Sequence, residues 1–238
     1  MHRETFGSGD DLVVVLGWGN RLDHENVRWL LDRLAETYRV HAFRIPDAIT
    51  DFEREYVRPV ERYVADLGEW RLLGHSTGGL IGPYVAAATS TADPITHTFL
   101  SPWWGEPPGR DGLLLDVLTR LPISRPILPA GLDDPALLGD LTTDRQLADS
   151  PDAAPTFLRE TRRAHEQLPA IDDEAVVFCS LRDRVVGTRA IGERMPAERV
   201  RLYDGGHELF SSSSRAEPLF VGTRDGWGQR LSIDAVHR

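Results

Sequence analysis

Short runs of apolar residues recur along this chain, and each is closed by a glycine, a proline or a polar turn. The run at residues 12–16 is continuously apolar and ends at a glycine, which is typical of a strand buried on both faces of a parallel sheet. Further apolar runs predict strands at residues 38–45, 72–73, 94–100, 174–180 and 200–203. The central strand of this set, at 72–73, leads directly into a glycine-rich turn.

Between these strands the apolar residues recur at helical spacing instead. Residues 24–37 carry one apolar stripe and predict a helix capped by Asp23. Residues 51–67 predict a helix that Pro59 either kinks or divides in two, and residues 155–168 predict another. Strands that alternate with helices predict an α/β fold: a mainly parallel sheet of about six strands, right-handed crossovers and helices on both faces.

The pattern changes between residues 102 and 152. This segment is rich in proline, glycine and leucine, and it begins with the adjacent Trp103 and Trp104. It is too apolar for a solvated linker and too interrupted for core strands. We therefore predict a cap of short helices inserted into one domain, whose core comprises about residues 11–101 and 153–238.

Composition narrows the possible functions. The 238 residues, 41% of them hydrophobic, suit one globular domain with a core of its own. A net charge of −10 argues against a nucleic-acid partner. All 27 basic residues are arginine, which fits either adaptation to high salt or a GC-rich genome. No run is long enough to span a membrane, and residues 1–10 lack the apolar core of a signal peptide, so we expect a cytoplasmic protein. The oligomeric state stays open.

Sequence signals for bound cofactors and metals are missing. The single cysteine, Cys179, excludes an internal disulfide and a cysteine-based zinc site, and no histidine pair has metal-ligand spacing. Residues 17–19 spell G-W-G, but Leu22 stands where a dinucleotide-binding fingerprint requires its third glycine. We expect neither a cofactor nor a metal.

Residues 74–78 spell G-H-S-T-G between a predicted strand and a predicted helix. In that setting the pattern indicates a nucleophile elbow, a sharp turn that lifts Ser76 above the edge of the sheet. Gly74 and Gly78 leave room for the tight turn, and the amide of Thr77 points from the helix N-terminus towards an oxyanion. The same residues also fit a glycine-rich turn whose serine only caps a helix.

Two more candidate residues follow predicted strands. A serine hydroxyl needs a base, and the base needs an orienting acid. Asp183 follows the strand at 174–180, and His207 follows the strand at 200–203. Because the carboxyl ends of parallel strands share one edge of the sheet, Ser76, Asp183 and His207 are predicted to form a catalytic triad.

Other acids compete with Asp183. Glu106 follows the strand before the cap and is the main alternative. Asp172 and Asp173 precede their strand and so belong to the wrong edge, and Asp204 is too close to His207 in sequence.

Taken together, these motifs resemble the α/β-hydrolase superfamily over about residues 12–210. The resemblance rests on G-W-G at 17–19, G-H-S-T-G-G at 74–79, D-R-V-V at 183–186 and G-G-H at 205–207. It implies Ser76 as nucleophile, His207 as base and Asp183 as its partner. It also implies an oxyanion hole formed by the backbone amides of Trp18 and Thr77. The G-W-G turn is similar to that of small carboxylesterases.

The resemblance implies a serine esterase that works through an acyl-enzyme on a small-molecule ester or thioester. The apolar cap predicts an apolar acyl group, with Trp103 and Trp104 as substrate-binding residues. Of Arg110, Arg120 and Arg125, one can turn inward to hold a substrate carboxylate, or all three are solvated. The alternatives are acyl transfer or cleavage of a carbon–carbon bond by the same triad, and a binding module without catalysis.

Overall fold

The structure is a computed structural model. It describes residues 1–88, 94–106, 119, 121–132, 134–216, 220–221 and 229–230. Arg110, Arg120 and part of the predicted cap lie outside these residues, and the division into core and cap stays a prediction.

Within this described part, seven strands form one sheet, in the order β1-β3-β2-β4-β5-β6-β7. The strands are β1 (His2–Phe6), β2 (Asp10–Val15), β3 (Tyr38–Arg44), β4 (Trp70–His75), β5 (Thr96–Leu100), β6 (Val176–Cys179) and β7 (Val200–Leu202). Strands β2 to β7 pair in parallel, as the alternating pattern predicts. A separate antiparallel pair joins β8 (Phe220–Val221) and β9 (Gln229–Arg230).

Strand β1 is the one element of the main sheet that the hydrophobic pattern does not predict. It pairs antiparallel with β3, from His2 opposite Arg44 to Phe6 opposite Val40. Most of its side chains are exposed, because it lies at the edge of the sheet. An exposed edge strand needs no alternation of apolar and polar residues. The polar sequence of β1 therefore gives no signal for a strand.

The described helices follow the predicted alternation. They are α1 (Glu25–Ala35), α2 (Arg58–Val64), α3 (Thr77–Ala88), α4 (Pro135–Leu138), α5 (Asp144–Ala148), α6 (Pro155–Glu166) and α7 (Thr188–Arg194). A π-helical turn, Glu53–Val57, precedes α2, so Pro59 stands at the start of the second of two helical pieces. None of these described helices is long and apolar enough to cross a membrane.

The predicted cap of α1 by Asp23 is wrong. His24 is the N-terminal capping position, and its side chain makes no capping hydrogen bond. The Asp23 carboxylate instead pairs with Arg145 of α5.

Helices cover both faces of the sheet and create two cores. Along β2, Leu12 and Val14 face the core beneath α1. Val13 and Val15 face the core beneath α2, α3 and α6. Burial on both faces is the reason that β2 has a continuous apolar run rather than an alternating one.

Candidate active site

Ser76 occupies the turn between β4 and α3. Its φ of 52° lies in the left-handed region, which a residue other than glycine rarely adopts. Neighbouring backbone groups hold it there: the Ser76 N–H donates to Leu100 O at 3.0 Å, and Ser76 O accepts from the N–H groups of Leu80 at 3.1 Å and Trp103 at 3.0 Å. A strained backbone conformation persists only where the surroundings fix it, and it occurs most often at functional sites.

The two glycines of the elbow allow α3 to pass close to the sheet. A Cβ on Gly78 would lie 1.9 Å from Val15 O, and a Cβ on Gly74 would lie 2.7 Å from Gly78 O. Any side chain at either position would therefore displace the helix from the strand ends. Close packing, rather than positive φ, explains these glycines.

His207 lies in the loop after β7 and faces Asp183 in the loop after β6. His207 Nδ1 is 2.8 Å from Asp183 Oδ2, and their side chains are only 3% and 0% exposed. Asp183 Oδ1 accepts the backbone N–H groups of Val185 at 2.8 Å and Val186 at 3.1 Å. Both carboxylate oxygens are thus bound, which fixes the direction from which Asp183 meets the imidazole.

The electrostatics of this pair favour the charged carboxylate. Burial alone would raise the pKa of Asp183, but the charge and hydrogen bond of His207 and the two amides outweigh it and lower that pKa. Burial would lower the pKa of His207, but the nearby charge and hydrogen bond of Asp183 raise it above its usual value. With Asp183 ionised, Nδ1 of His207 donates and Nε2 remains a proton acceptor.

The Nε2 atom of His207 is free to accept a proton. His207 Nε2 is buried and has no hydrogen-bond partner in the described part of the chain. Ser76 and His207 both line one cavity of about 370 Å³. Most of its other walls are apolar, among them Trp18, Leu128, Phe157, Leu158 and Val186.

The turn after β2 brings Trp18 to the same cavity. A Cβ on Gly17 would lie 2.9 Å from Ser76 Cβ, so this turn touches the elbow. The Trp18 ring stacks on Phe157 with ring centroids 4.9 Å apart, and its indole N–H donates to Asp47 O at 2.7 Å. The backbone N–H groups of Trp18 and Thr77 take part in none of the loop and turn hydrogen bonds found in the described residues. An oxyanion hole formed by these two amides stays a prediction.

The structure separates the two adjacent tryptophans. Trp103 lines the cavity, and its carbonyl accepts Nε2–H of His165 at 2.8 Å. Burial lowers the pKa of His165 to about 4, so its ring is neutral near pH 7. Trp104 does not line the cavity: its indole N–H donates to Gly79 O at 2.9 Å, and its ring packs on Phe99. Substrate contact by these tryptophans stays a prediction, and the lining of the cavity favours Trp103 over Trp104 for it.

In the described part of the chain, the acid bound to His207 is Asp183 and none of the competing acids. Glu106 lines the cavity, but its Oε1 is 3.8 Å from Nδ1 of His165 instead. Asp204 is exposed and pairs with Arg182 at 2.9 Å. Asp172 Oδ1 accepts the N–H of Glu174 just before β6.

Of the three arginines considered for a substrate carboxylate, only Arg125 is described, and it is exposed. Among the described residues, no group of three or more His, Cys, Asp or Glu side chains is arranged to hold a metal ion.

Sequence reasoning missed two polar residues at this site. Glu208 lines the cavity beside His207, and Asn20 follows the G-W-G turn. Asn20 Nδ2 donates to Glu208 Oε1 at 2.8 Å across 188 positions of sequence. The only sequence signal was their adjacency to the two loop motifs, which does not predict a contact between them.

Comparison with known proteins identifies the family and the fold. The sequence matches the model of the alpha/beta hydrolase family over residues 12–220. No curated protein has a sequence that matches the chain.

Several crystal structures share the fold. A monoacylglycerol lipase from Paleococcus ferrophilus aligns with a TM-score of 0.68 at 19% identity, covering 89% of this chain and 92% of the lipase. A soluble variant of the Saccharomyces cerevisiae monoglyceride lipase, in complex with a substrate analog, gives 0.70 at 14% identity, with 90% and 86% covered. An esterase from Exiguobacterium antarcticum gives 0.58 at 17% identity, with 88% and 89% covered. At these identities the likeness shows the fold.

Proposed function

The chain belongs to the α/β-hydrolase family, and we propose that it is a serine hydrolase that cleaves a carboxylic ester or thioester through an acyl-enzyme. One observation carries the proposal. His207 is bound to Asp183 through Nδ1, has an uncommitted Nε2, and shares a cavity with a serine on a strained strand-to-helix turn. A base that is oriented on one side and free on the other is what a serine nucleophile requires.

In this mechanism Ser76 Oγ attacks the carbonyl carbon of the substrate, and its proton passes to His207 Nε2. The carbonyl oxygen becomes an oxyanion, which the amides of Trp18 and Thr77 stabilise. Asp183 stabilises the imidazolium without taking a proton. When the intermediate collapses, the bond to the leaving alcohol or thiol breaks, and His207 protonates that group.

Deacylation repeats these steps with water. His207 removes a proton from a water molecule, whose oxygen attacks the acyl carbon. Collapse of the second intermediate releases the carboxylic acid and returns the proton to Ser76 Oγ. The balance is one ester or thioester and one water converted to an acid and an alcohol or thiol, so the reaction requires no oxidant, reductant or group donor.

The walls of the cavity support an apolar acyl group. Trp18, Trp103 and Phe157 present aromatic surface, and Leu128 and Leu158 present aliphatic surface. Apolar pockets with a few polar groups near the chemistry are typical small-molecule sites. The fold is shared with a monoacylglycerol lipase and an esterase, which supports an ester as the bond that is cleaved.

The test is replacement of the nucleophile. Ser76→Ala should lower turnover of p-nitrophenyl esters by about three orders of magnitude or more, because the covalent path is lost. Its thermal unfolding should stay close to that of the wild type, since the hydroxyl makes none of the hydrogen bonds that hold the elbow. If Ser76→Ala retained near-normal turnover, the proposal would be wrong.

A further inference from the structure

A second carboxylate is buried next to the proposed base. Glu208 follows His207 in sequence and is 3% exposed. Its Oε1 accepts Nδ2–H of Asn20 at 2.8 Å, and its Oε2 accepts Nε2–H of Gln146 and Oγ–H of Ser211, each at 2.5 Å. A buried carboxylate is costly unless such donors replace water. Here every donor comes from a side chain, and Asn20 and Gln146 belong to different segments of the fold.

Asn20 connects Glu208 to His75, the residue that precedes Ser76. Because its Nδ2 donates to Glu208, its Oδ1 is left as the acceptor, and it lies 3.0 Å from His75 Nδ1. His75 must therefore carry its proton on Nδ1, and it directly precedes Ser76. The N–H of Asn20 also closes the turn that contains Trp18, by donating to Gly17 O at 3.2 Å.

Glu208 and Asn20 thus join the three loops on which the mechanism depends: the Trp18 turn, the Ser76 elbow and the His207 loop. Gln146 of α5 adds a fourth segment, and its Oε1 lies 3.4 Å from Nδ2 of Asn26 on α1. Among the loop and turn backbone hydrogen bonds of the described residues, none joins these three loops to one another, so the side-chain contacts help to set their spacing.

We propose that Glu208 and Asn20 are positioning residues for the hydrolytic reaction. They hold the amide of Trp18 and the ring of His207 in register with Ser76, and the Glu208 carboxylate adds a second negative charge beside the imidazolium. This inference rests on the proposed serine mechanism.

The surroundings of His207 are consistent with a charge effect. Its titratable neighbours are Asp183 after β6, His75 of β4, Tyr203 after β7, and Glu208 itself. Burial keeps the pKa of His75 far below and that of Tyr203 far above their usual values, so both are neutral near pH 7. Asp183 is the main cause that raises the pKa of His207, and the charge of Glu208 adds to it.

Two variants separate the roles of charge and position. Glu208→Gln removes the charge at nearly constant volume. Asn20→Ala removes both contacts of the amide and leaves the Glu208 charge in place. The matched control is Asp11→Asn, which replaces another buried carboxylate, bound by His41 at 2.6 Å and Arg39 at 2.7 Å, away from the cavity.

The experiment measures kcat, KM and the pH dependence of kcat/KM on one p-nitrophenyl ester. Rates are normalised to active sites titrated with a fluorophosphonate, so a loss of folded protein does not count. Both site variants should lose kcat by about 10- to 100-fold with little change in KM, because small displacements of reacting groups cost rates of that order. The acid limb of kcat/KM should move to lower pH in Glu208→Gln only. Asp11→Asn should keep the wild-type kcat and acid limb.

Two results would overturn the inference. One is a kcat per titrated site within about threefold of wild type in both variants, and the other is an equal loss in the Asp11→Asn control. If Glu208→Gln did not fold, the Asn20→Ala result alone would decide. Failure of the serine mechanism would differ from both, because wild-type protein would then not react with the fluorophosphonate at all.

Discussion

The described residues include two buried histidine–aspartate pairs that look alike in isolation. His207 and Asp183 are 2.8 Å apart at the carboxyl edge of the sheet. His41 and Asp11 are 2.6 Å apart near the start of β2, where Asp11 is level with Trp70 at the beginning of β4. Ser76 follows the carboxyl end of β4. The pair of His41 and Asp11 therefore lies near the amino ends of the strands, opposite from the elbow.

The two pairs differ in what the rest of the imidazole and carboxylate contacts. His41 Nδ1 lies 2.8 Å from the hydroxyl oxygen of Tyr63, and Arg39 donates to both oxygens of Asp11. Both ring nitrogens of His41 are therefore engaged, and its acid is neutralised by an arginine. His207 has an unbonded Nε2 and shares a cavity with Ser76, and within the described residues no arginine is hydrogen-bonded to Asp183. A histidine–aspartate pair thus becomes a candidate base only when one nitrogen is left open beside a nucleophile.

The largest difference between the two pairs is expected when the aspartate of each pair is replaced by asparagine. Asp183→Asn should lower kcat/KM by up to about ten-thousandfold, because the amide favours the wrong tautomer of His207. Asp11→Asn should change kcat/KM by less than about twofold. Both are measured on the same ester, with the folded fraction determined by circular dichroism.

Glu106→Gln serves as the control for the alternative acid. It should cost far less than Asp183→Asn, because Glu106 lies beside His165. A ranking with Glu106→Gln as the more damaging variant would move the acid to the loop after β5.

A smaller effect is expected for the two adjacent tryptophans. Trp103 lines the cavity, whereas Trp104 packs in the core. In the wild type, each methylene added to the acyl chain should raise kcat/KM about fourfold until the cavity is full, from about 0.8 kcal/mol per buried methylene. Trp103→Ala should flatten that series, and Trp104→Ala should lower the melting temperature while leaving the slope as it is. An unchanged slope in Trp103→Ala would show that this wall does not select the acyl chain.

The smallest effect concerns the pair away from the cavity, and it is a stability effect. Burial alone would raise the pKa of Asp11, but hydrogen bonds and charge from Arg39 and His41 lower it below its usual 3.8. Between the lowered pKa and 3.8 the unfolded chain binds more protons, so this contribution is complete above about pH 4 and is lost as the pH falls through the folded pKa.

Asp11→Asn should therefore cost about 1–3 kcal/mol of unfolding free energy at pH 7. The difference from wild type should shrink below about pH 4, as measured by urea denaturation at several pH values. A constant difference from pH 7 to pH 3 would mean that the charge of Asp11 does not stabilise the fold.

Much of the fold and the candidate site could be predicted because local sequence carries the signal. Strand β2 is apolar because it is buried on both faces, and Ser76, Asp183 and His207 each lie within four residues of the end of a predicted strand. Strand β1 escaped prediction because an edge strand can be polar. Trp103 and Trp104 are adjacent, so no pattern in the sequence tells which one lines the cavity.

Contacts between distant positions were beyond the reach of sequence patterns. Asn20 and Glu208 meet across 188 positions, and nothing in either neighbourhood indicates the other. Asp11 and His41 lie on neighbouring strands, and the register places Asp11 opposite Arg39, so His41, two residues further along β3, is its diagonal neighbour. A pattern along one strand cannot supply that register.

The proposed role of Ser76, a nucleophile activated by His207 and Asp183, is tested most directly by the reaction of the protein with a fluorophosphonate. The adduct is located by peptide mass spectrometry and its rate of formation is followed. We predict one adduct per chain, on Ser76, formed at the same rate in Asp11→Asn, much more slowly in Asp183→Asn, and not at all in Ser76→Ala. An adduct on another residue, or an Asp183→Asn rate equal to that of wild type, would contradict the account.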